Sequence, residues 1–511
     1  MKKNIILFAI IALLISPICC QTIEWEKASK IDSDMETPNC DASGVYIGSI
    51  DDEDFFINYE INPQRSSMPC TDFAFTKVIN NKVSKFIPTI EAEMIVFDVS
   101  IIDNEIAVLN CKEGEDDNWN VRVDYYSTSD FSFLKTKTIY SFEKSDEFEF
   151  VHYNKSKNGL KHGLVLDVKN EKFKFKKLYF LTLNESYEAI SQNQYITDDN
   201  YQIYIQNINV SDAGNILVSY FNKEGIVKKD QKKDSNGRKI KADDPNFFPE
   251  INTYQLIYYT KEGFNKIKIS KDDINKFQRS TKIYEKNNQQ FYVFFADSEN
   301  VKGLLIDINK MTVNELFSES VHYGIWQFDY ISHYENGNVV LVLINKDYTV
   351  HIYQSGNQVI RKLFEWEKSY RIISFNPENG NIAYNTAIAR DYVKTVINLS
   401  YQQNIFLSTF YHIEGNNLYL IYNTDQFKNE NFKYEKELSK ADVLQSLVVT
   451  KNIETRVSKI DQFGTIETNS VYKSTSTTPI ILPAYIHKID KEIFQIAKGL
   501  KDMITYGTLI L

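Results

Sequence analysis

The sequence predicts an all-β protein, a single β-propeller of seven four-stranded antiparallel blades, with eight blades as the alternative count. Two observations carry this prediction. Short runs of strand-forming residues alternate with Asn, Asp, Gly and Lys turns along almost the whole chain. A similar unit of turn and strand returns at intervals of about 50 residues, a spacing typical of propeller blades.

Composition supports a repeat-built sheet protein. The chain has 511 residues, which is more than a single ordinary hydrophobic core can include. Hydrophobic residues make up 43% of the chain, and this content excludes extensive disorder. Tyr and Phe number 33 each against 18 Gly and 10 Pro, a balance that favours pleated sheets. The net charge of −10 disfavours nucleic acid as a partner, because an acidic surface repels phosphates.

The repeated unit is clearest in four places. It reads NVSDAGNILVSYFNKEG at 209–225, ISHYENGNVVLVLINKDY at 331–348, ISFNPENGNIAY from Ile373, and YHIEGNNLYLIYNTD from Tyr411. Each unit is predicted to start with an inner strand, turn, and continue into a more apolar strand. Gly or Asn belongs at such turns because a tight hairpin requires a positive φ. The predicted turns are Asn104, Asn158–Gly159, Gly214–Asn215, Asn287–Asn288, Gly337–Asn338, Gly380–Asn381 and Gly415–Asn416.

The predicted organisation has three parts. Residues 1–20 have the basic start and apolar run of a signal peptide, and the run from Ile5 to Ile15 is too short to span a bilayer. Residues 21–39 form an N-terminal extension, and residues 40–511 form the propeller. A charged segment at 227–250 is predicted to be a polar loop inserted between two strands of one blade. No later segment predicts a transmembrane helix.

The signal peptide predicts export to the periplasm, the cell surface or the extracellular space, and export affects what is expected of the five cysteines. Lipid attachment at Cys20 or Cys19 is disfavoured, because the residues that precede them fit that pattern poorly. In an oxidising compartment, Cys40 and Cys70 are the first expected disulfide pair, since both lie beside turn residues. Cys111 follows a strand and is expected to be a buried thiol, although it could replace either partner.

The C-terminal tail contains the stretch VSKIDQFGTIETNSVYKS and ends with YGTLIL, residues Tyr506 to Leu511. This tail and the blade turns resemble uncharacterised secreted β-propeller proteins from bacteria of the Bacteroidota type, whose last strand reads FGKITL. The resemblance implies a propeller and export. It implies no functional residues, because it rests on a pattern rather than a fixed motif. We expect the terminal strand to close the ring by pairing with N-terminal strands.

Known catalytic and ligand-binding motifs are missing. The sequence has no GxSxG, HExxH, P-loop or GxGxxG motif, its seven His residues are scattered, and the SxDxGxTW turn of sialidase-like propellers does not occur. Asp234, Asn236, Asp243 and Asp244 in the insertion could supply oxygen ligands to calcium, but Arg238 interrupts them. The sequence therefore predicts no catalytic residue, metal ligand or cofactor and leaves the binding residues unknown.

Trp326 is the residue to examine first, because it begins a predicted inner strand, where an aromatic ring could stack on a sugar or a peptide. Packing between blades is the favoured interpretation. The predicted function is an exported non-catalytic binding or scaffold protein for a protein or glycan ligand. The alternative is a secreted glycan-acting hydrolase that uses two carboxylates. Three or more carboxylates converging with an aromatic in the channel would favour the enzyme, and a filled apolar channel would argue against it.

Overall fold

The computed structural model describes most of the propeller. The described residues are 23–25, 29–30, 43–62, 70–79, 82–86, 94–114, 118–142, 147–170, 175–196, 202–223, 253–269, 280–355, 358–395, 409–425, 453–474, 480–481, 483, 486–490, 493–500 and 503–510. Within these ranges no helix has the length and apolar character needed to cross a membrane.

The first half of the chain supplies two short N-terminal strands and four blades. The N-terminal strands are β1 (Ile23–Trp25) and β2 (Ser29–Lys30). Blade 1 contains β3 (Ser43–Ile50), β4 (Glu53–Asn62), β5 (Cys70–Ile79) and β6 (Lys82–Phe86). Blade 2 contains β7 (Met94–Ile102), β8 (Glu105–Glu113), β9 (Trp119–Ser127) and β10 (Phe133–Phe142). Blade 3 contains β11 (Glu147–Lys155), β12 (Lys161–Asn170), β13 (Phe175–Asn184) and β14 (Ala189–Ile196). Blade 4 contains β15 (Gln202–Val210), β16 (Ile216–Lys223), β17 (Thr253–Thr260) and β18 (Gly263–Ile269).

The second half supplies three more blades and the C-terminal strands. Blade 5 contains β19 (Ser280–Asn287), β20 (Gln290–Ala296), β21 (Asn300–Asp307) and β22 (Thr312–Ser320). Blade 6 contains β23 (Ile325–His333), β24 (Val339–Ser355), β25 (Gln358–Phe375) and β26 (Ile382–Thr395). Blade 7 contains β27 (Phe410–Glu414), β28 (Asn417–Asp425), β29 (Ile453–Ile460) and β30 (Ile466–Lys473). The last strands are β31 (Ile480–Ile481), β32 (His487–Asp490), β33 (Ile493–Leu500) and β34 (Met503–Ile510).

The described strands confirm the predicted all-β propeller. Seven four-stranded sheets follow one another, and in each sheet every strand pairs antiparallel with the next along the chain. The first strands of successive blades contact one another, as β11, β15, β19, β23 and β27 do in turn, so these strands lie innermost. The second strands are almost completely buried and the fourth strands are largely exposed, as in β8 and β10.

Most of the predicted hairpin turns have the expected backbone geometry, but Asn287–Asn288, between β19 and β20, turns without a positive φ. Asn104, Gly159, Gly214, Gly337 and Gly415 all adopt positive φ values, between 58° and 85°. Each of them lies between the first and second strands of a blade. The repeated unit therefore marks the first hairpin of these blades.

The unit beginning at Ile373 is an exception and corrects the predicted phase of the repeat. Gly380 also has a positive φ, of 74°, but it joins β25 to β26, the third and fourth strands of blade 6. The interpretation of ISFNPENGNIAY as the start of a new unit was wrong, because Gly and Asn satisfy a tight turn in any hairpin of a blade.

The core consists of apolar layers between neighbouring blades. One layer joins Leu109 and Val123 of blade 2 to Leu166 and Leu181 of blade 3. Equivalent layers lie between blades 1 and 2, 3 and 4, 4 and 5, 5 and 6, and 6 and 7. Burying this surface is the main favourable contribution to folding, at about 25 cal/mol for each Å² of apolar area.

The two ends of the chain share a further sheet, which closes the ring. In the antiparallel pairing of β1 with β34, Ile23 is opposite Leu509 and Trp25 is opposite Gly507. The expected pairing of the terminal strand with an N-terminal strand is confirmed. We call this sheet, built from β1, β2 and β31–β34, the closing sheet.

The closing sheet lies between blades 7 and 1. Its Phe494 packs against Ile421 of blade 7, and its His487 stacks on Tyr46 of blade 1 with ring centroids 3.8 Å apart. The ring therefore contains seven regular four-stranded blades and one sheet made from both chain ends.

Several sequence predictions fall on residues outside the described ranges. They include the signal peptide, the lipid-attachment sites Cys19 and Cys20, the disulfide partner Cys40, and the insertion at 227–250 with its candidate calcium ligands. The strands that flank the insertion, β16 and β17, pair with each other. Cys111 is a buried free thiol, as predicted, and burial raises its pKa to about 12.

Candidate functional site

A bulge interrupts the first strand of most blades. The register shifts in β3, β7, β11, β15 and β23 fall at Ile47, Phe97, Glu149, Gln206 and Asp329. A bulge leaves one residue unpaired and bends the strand, so it changes the direction of nearby side chains. The polar groups on these inner strands are the first place to look for chemistry.

Asp98, on β7, is held by side chains of blade 3. The Tyr187 hydroxyl donates a hydrogen bond to Asp98 Oδ2 at 2.7 Å, and Lys155 Nζ lies 2.7 Å from the same oxygen. His162 Nδ1 lies 3.5 Å from that oxygen and 2.8 Å from the Tyr153 hydroxyl. The hydrogen-bonding and charge requirements of the Asp98 carboxylate are therefore met by contacts that join blade 2 to blade 3.

His162 is uncharged at neutral pH in this network. Burial lowers its pKa to about 4, and the positive charges of Lys155 and Lys161 act in the same direction, against the opposing effect of Asp98. The Tyr187 ring and the imidazole also form a T-shaped contact, with centroids 4.9 Å apart. A buried neutral imidazole fixed in this way suits a structural role.

A second polar contact joins blades 6 and 7. The Tyr411 hydroxyl of β27 donates a hydrogen bond to Asp329 of β23, and the rings of Tyr411 and Tyr330 stack with centroids 4.7 Å apart. Further along blade 6, the fully buried Arg390 forms an ion pair with Glu367, with Nη1 2.6 Å from Oε2. These contacts again engage ionisable groups between or within blades.

Glu285 is the most unusual ionisable group on the inner strands. Its side chain is 7% exposed, and its Oε2 atom has no hydrogen-bond partner. Burial, and after it the negative charge of Asp212, raise its pKa to about 7. A hydrogen bond from the Asp212 backbone and, after it, the positive charge of Lys157 oppose this rise in pKa. The neighbouring Tyr284 hydroxyl lies 3.0 Å from His333 Nδ1. Glu285 could therefore hold a proton near neutral pH.

The inner-strand carboxylates do not converge. Asp98, Glu285 and Asp329 belong to blades 2, 5 and 6, and among the described residues no three or more His, Cys, Asp and Glu side chains are placed to hold a metal ion. The inner strands are also not uniformly apolar, since they carry the polar contacts above. The described part of the channel therefore shows neither the converging carboxylates expected of an enzyme nor the filled apolar channel expected of a non-enzyme.

Trp326 is part of the core. It is 2% exposed, its Nε1 donates a hydrogen bond to the His322 carbonyl at 2.9 Å, and its ring lies in the layer between blades 5 and 6 with Val339 and Leu341. The favoured interpretation of Trp326 as packing between blades is confirmed.

A cleft on the outer side of the ring, between blades 2 and 3, offers a different kind of site. It encloses about 490 Å³, open solvent included. We call it the interblade cleft and define it by its lining residues, Tyr140, Leu166, Tyr179, Phe180, Leu181, Gln192, Asn193 and Gln194. Tyr140 comes from the fourth strand of blade 2, and the others come from blade 3.

Strand pairing arranges the two sides of this cleft. Tyr179 is opposite Gln194 and Leu181 is opposite Gln192 in the β13–β14 pair, so each amide stands beside an apolar or aromatic side chain. The Tyr140 and Tyr179 ring centroids are 6.2 Å apart across the blade boundary, with the ring planes inclined at 50°. Apolar surface therefore lies next to groups that both donate and accept hydrogen bonds.

The sequence did not indicate this cleft. β14, with the sequence AISQNQYI, reads as an ordinary exposed edge strand, and Tyr140 is 39 residues away from Tyr179. A possible signal was the placement of three consecutive amides, Gln192 to Gln194, on a strand whose neighbour carries an aromatic residue. Recognising it required knowing which strands pair and which blades face each other.

Comparison with known proteins gives little beyond the architecture. No family model and no curated protein matches the sequence. Among solved structures, the chain is similar to a Mycobacterium tuberculosis puromycin-hydrolysing peptidase, with 7% identity and a TM-score of 0.40, over 94% of this chain and 62% of that one. It is also similar to the Dos1 propeller, with 8% identity and a TM-score of 0.38, over 95% of both chains. A polysaccharide lyase described as an ulvan lyase has 8% identity and a TM-score of 0.37, over 63% of this chain and 78% of the lyase.

This chain thus spans 62% of the peptidase's length. At these identities and TM-scores the likenesses say nothing about activity. The class of protein is defined by the blades themselves: a β-propeller of seven four-stranded blades, closed by a sheet made from both chain ends.

Proposed function

We propose that this protein is an exported, non-catalytic β-propeller that binds a protein or glycan ligand. The observation that carries the proposal is the state of the inner-strand carboxylates. Asp98 and Asp329 both accept hydrogen bonds from tyrosines of the next blade, which gives these carboxylates a role in holding the blades together. Export is supported by the leader-like segment 1–20 and by the resemblance to secreted propellers.

A glycan-acting hydrolase is the second candidate, and Glu285 is the observation that favours it. A carboxyl group with a pKa of about 7 next to a second carboxylate, Asp212, has the protonation that a general acid requires. Burial argues against this role, because a side chain that is 7% exposed has little surface with which to reach a glycosidic oxygen. The binding function is therefore preferred.

The experiment is a paired measurement of binding and turnover. The purified mature protein is incubated with soluble plant, fungal and bacterial polysaccharides and with peptide libraries, and both ligand retention and the release of new reducing ends or amines are measured. We expect retention without product. Product release that disappears in Glu285→Gln, but not in the control Glu467→Gln on the exposed face of β30, would overturn the proposal in favour of the hydrolase.

A further inference from the structure

We propose that the interblade cleft binds an uncharged glycan, with Tyr140 and Tyr179 contacting the sugar rings and the amides of Gln192 and Gln194 bonding to hydroxyl groups. This inference rests on the proposed binding function and specifies its ligand and its site.

The lining of the cleft combines aromatic, aliphatic and amide side chains. None of the eight lining residues carries a charge. A sugar presents patches of C–H groups on its ring faces and hydroxyls around its edge. Tyrosine rings suit the first because they offer a large rigid apolar face. Amide groups suit the second because, like hydroxyls, they both donate and accept hydrogen bonds.

The lining residues differ in their accessibility to solvent. Gln192, Asn193 and Gln194 are all exposed, whereas Tyr140 and Tyr179 are half-buried. The amides therefore form a rim that a ligand meets from solvent, and the rings form a wall already held in place by packing against each other and against Phe142.

An ion pair joins blades 2 and 3. Lys137 on β10 of blade 2 lies 3.4 Å from the carboxylate of Glu188, in the turn that precedes β14 of blade 3, and the two charges offset each other. The Asn184 amide donates to the other Glu188 oxygen at 3.2 Å. Within the eight lining residues a charged ligand would find no opposite charge, and Lys177 on β13 lies beyond them, opposite Ile196. An uncharged ligand is therefore favoured over a uronate, a sulfated glycan or a charged peptide.

Ile196 extends the apolar surface beside the amides. It lies on the same strand, four residues after Gln192 and two after Gln194, and it is 49% exposed. Because side chains alternate along a strand, these three residues share one face. A chain of several sugar residues could therefore continue along β14 past the cleft.

The test uses titration calorimetry on the mature protein with four uncharged probes: cellohexaose, mannohexaose, xylohexaose and N-acetylchitohexaose. Hexagalacturonate and a heparin hexasaccharide are the charged comparisons. We expect at least one uncharged probe to bind with a Kd of about 1 mM or tighter. Gln192→Ala, Gln194→Ala and Tyr179→Ala should each weaken binding by about threefold to tenfold, and Tyr179→Phe should retain most of it.

Matched controls separate the cleft from the rest of the surface. Asn314→Ala and Asn469→Ala remove exposed amides from the outer strands of blades 5 and 7 and should leave binding unchanged. The two Gln substitutions lie on the exposed rim, so they report on binding even if Tyr179→Ala impairs folding.

Two results would overturn this inference while leaving the proposed binding function intact. One is binding of a charged probe or a peptide with no binding of any uncharged probe. The other is binding of an uncharged probe that none of the cleft variants weakens. Cleavage of a hexasaccharide probe into shorter sugars would instead overturn the proposed non-catalytic function. Mass spectrometry of the sugars in the same samples detects such cleavage.

Discussion

The Tyr187 hydroxyl donates a hydrogen bond to Asp98 Oδ2 at 2.7 Å, although the two residues are 89 positions apart and belong to adjacent blades. Tyr187 is fully buried and also accepts a hydrogen bond from Ser100 at 2.9 Å. The contact explains how a carboxylate on an inner strand can stabilise the ring.

Replacing Tyr187 with Phe should therefore destabilise the propeller. The substitution keeps the ring and removes the donor, so Asp98 loses one of its partners, at a cost of about 1–3 kcal/mol in the free energy of unfolding. Tyr323→Phe is the control, since Tyr323 is 79% exposed. Urea denaturation of both variants checks the prediction, and equal midpoints for the two would contradict it.

This contact also shows what could be predicted from sequence. The turns at Gly159 and Gly214 were predictable because a positive φ is a local demand on a single residue. The pairing of Asp98 with Tyr187 was not, because it depends on how two blades face each other. The same is true of the interblade cleft, where Tyr140 and Tyr179 come from separate sheets.

The phase error at Gly380 has a related cause. The sequence around Gly337 and the sequence around Gly380 both encode tight hairpins, but one hairpin joins the first two strands of blade 6 and the other joins the last two. The residues of a tight turn indicate that the chain reverses direction there, but they do not indicate which two strands of the blade the turn joins.

Glu285 should make stability depend on pH. Its pKa is about 7 in the folded protein and near the ordinary 4.5 in the unfolded chain. Between pH 4.5 and pH 7, Glu285 is therefore protonated in the folded state and ionised in the unfolded state. The stability that Glu285 contributes is complete below pH 4.5 and is lost as the pH rises through 7.

Glu285→Gln, which cannot ionise, should remove this dependence. Relative to wild type, the variant should gain about 1–2 kcal/mol in the free energy of unfolding between pH 5 and pH 8, after allowance for solvent screening. Glu467→Gln on exposed β30 provides the control. Denaturant titrations at several pH values make the comparison, and parallel pH curves for wild type and Glu285→Gln would contradict the prediction.

Ring closure predicts that the C-terminal strand stabilises the whole domain. Deleting residues 506–511 removes the β34 partners of β1 and the buried Leu509, so the propeller should unfold at a lower temperature. Leu509→Ala should cost about 2–5 kcal/mol, whereas Ile510→Ala, at a position 44% exposed, should cost less than about 1 kcal/mol. Calorimetry measures all three, and an unchanged melting temperature for the truncation would count against closure.

The thiols give a test of the predicted bridge. Cys111 is buried with a pKa raised to about 12, so it should not react with a thiol reagent in the native protein. After denaturation without reductant, protein produced from Gln21 onward should show one reactive thiol if Cys40 and Cys70 are bridged. By the chain-entropy estimate such a bridge would stabilise the protein by about 3 kcal/mol. Cys111→Ala should then show none. Three reactive thiols in the wild-type protein would rule the bridge out, and peptide mapping identifies the pair.

The most direct test of the functional account is a structure of the protein with whichever uncharged hexasaccharide binds most tightly. The account predicts a sugar ring in contact with Tyr140 and Tyr179, an amide of Gln192 or Gln194 within about 3 Å of a sugar hydroxyl, and an intact glycosidic chain. A sugar located instead in the central channel beside Asp98, Glu285 or Asp329 would contradict it.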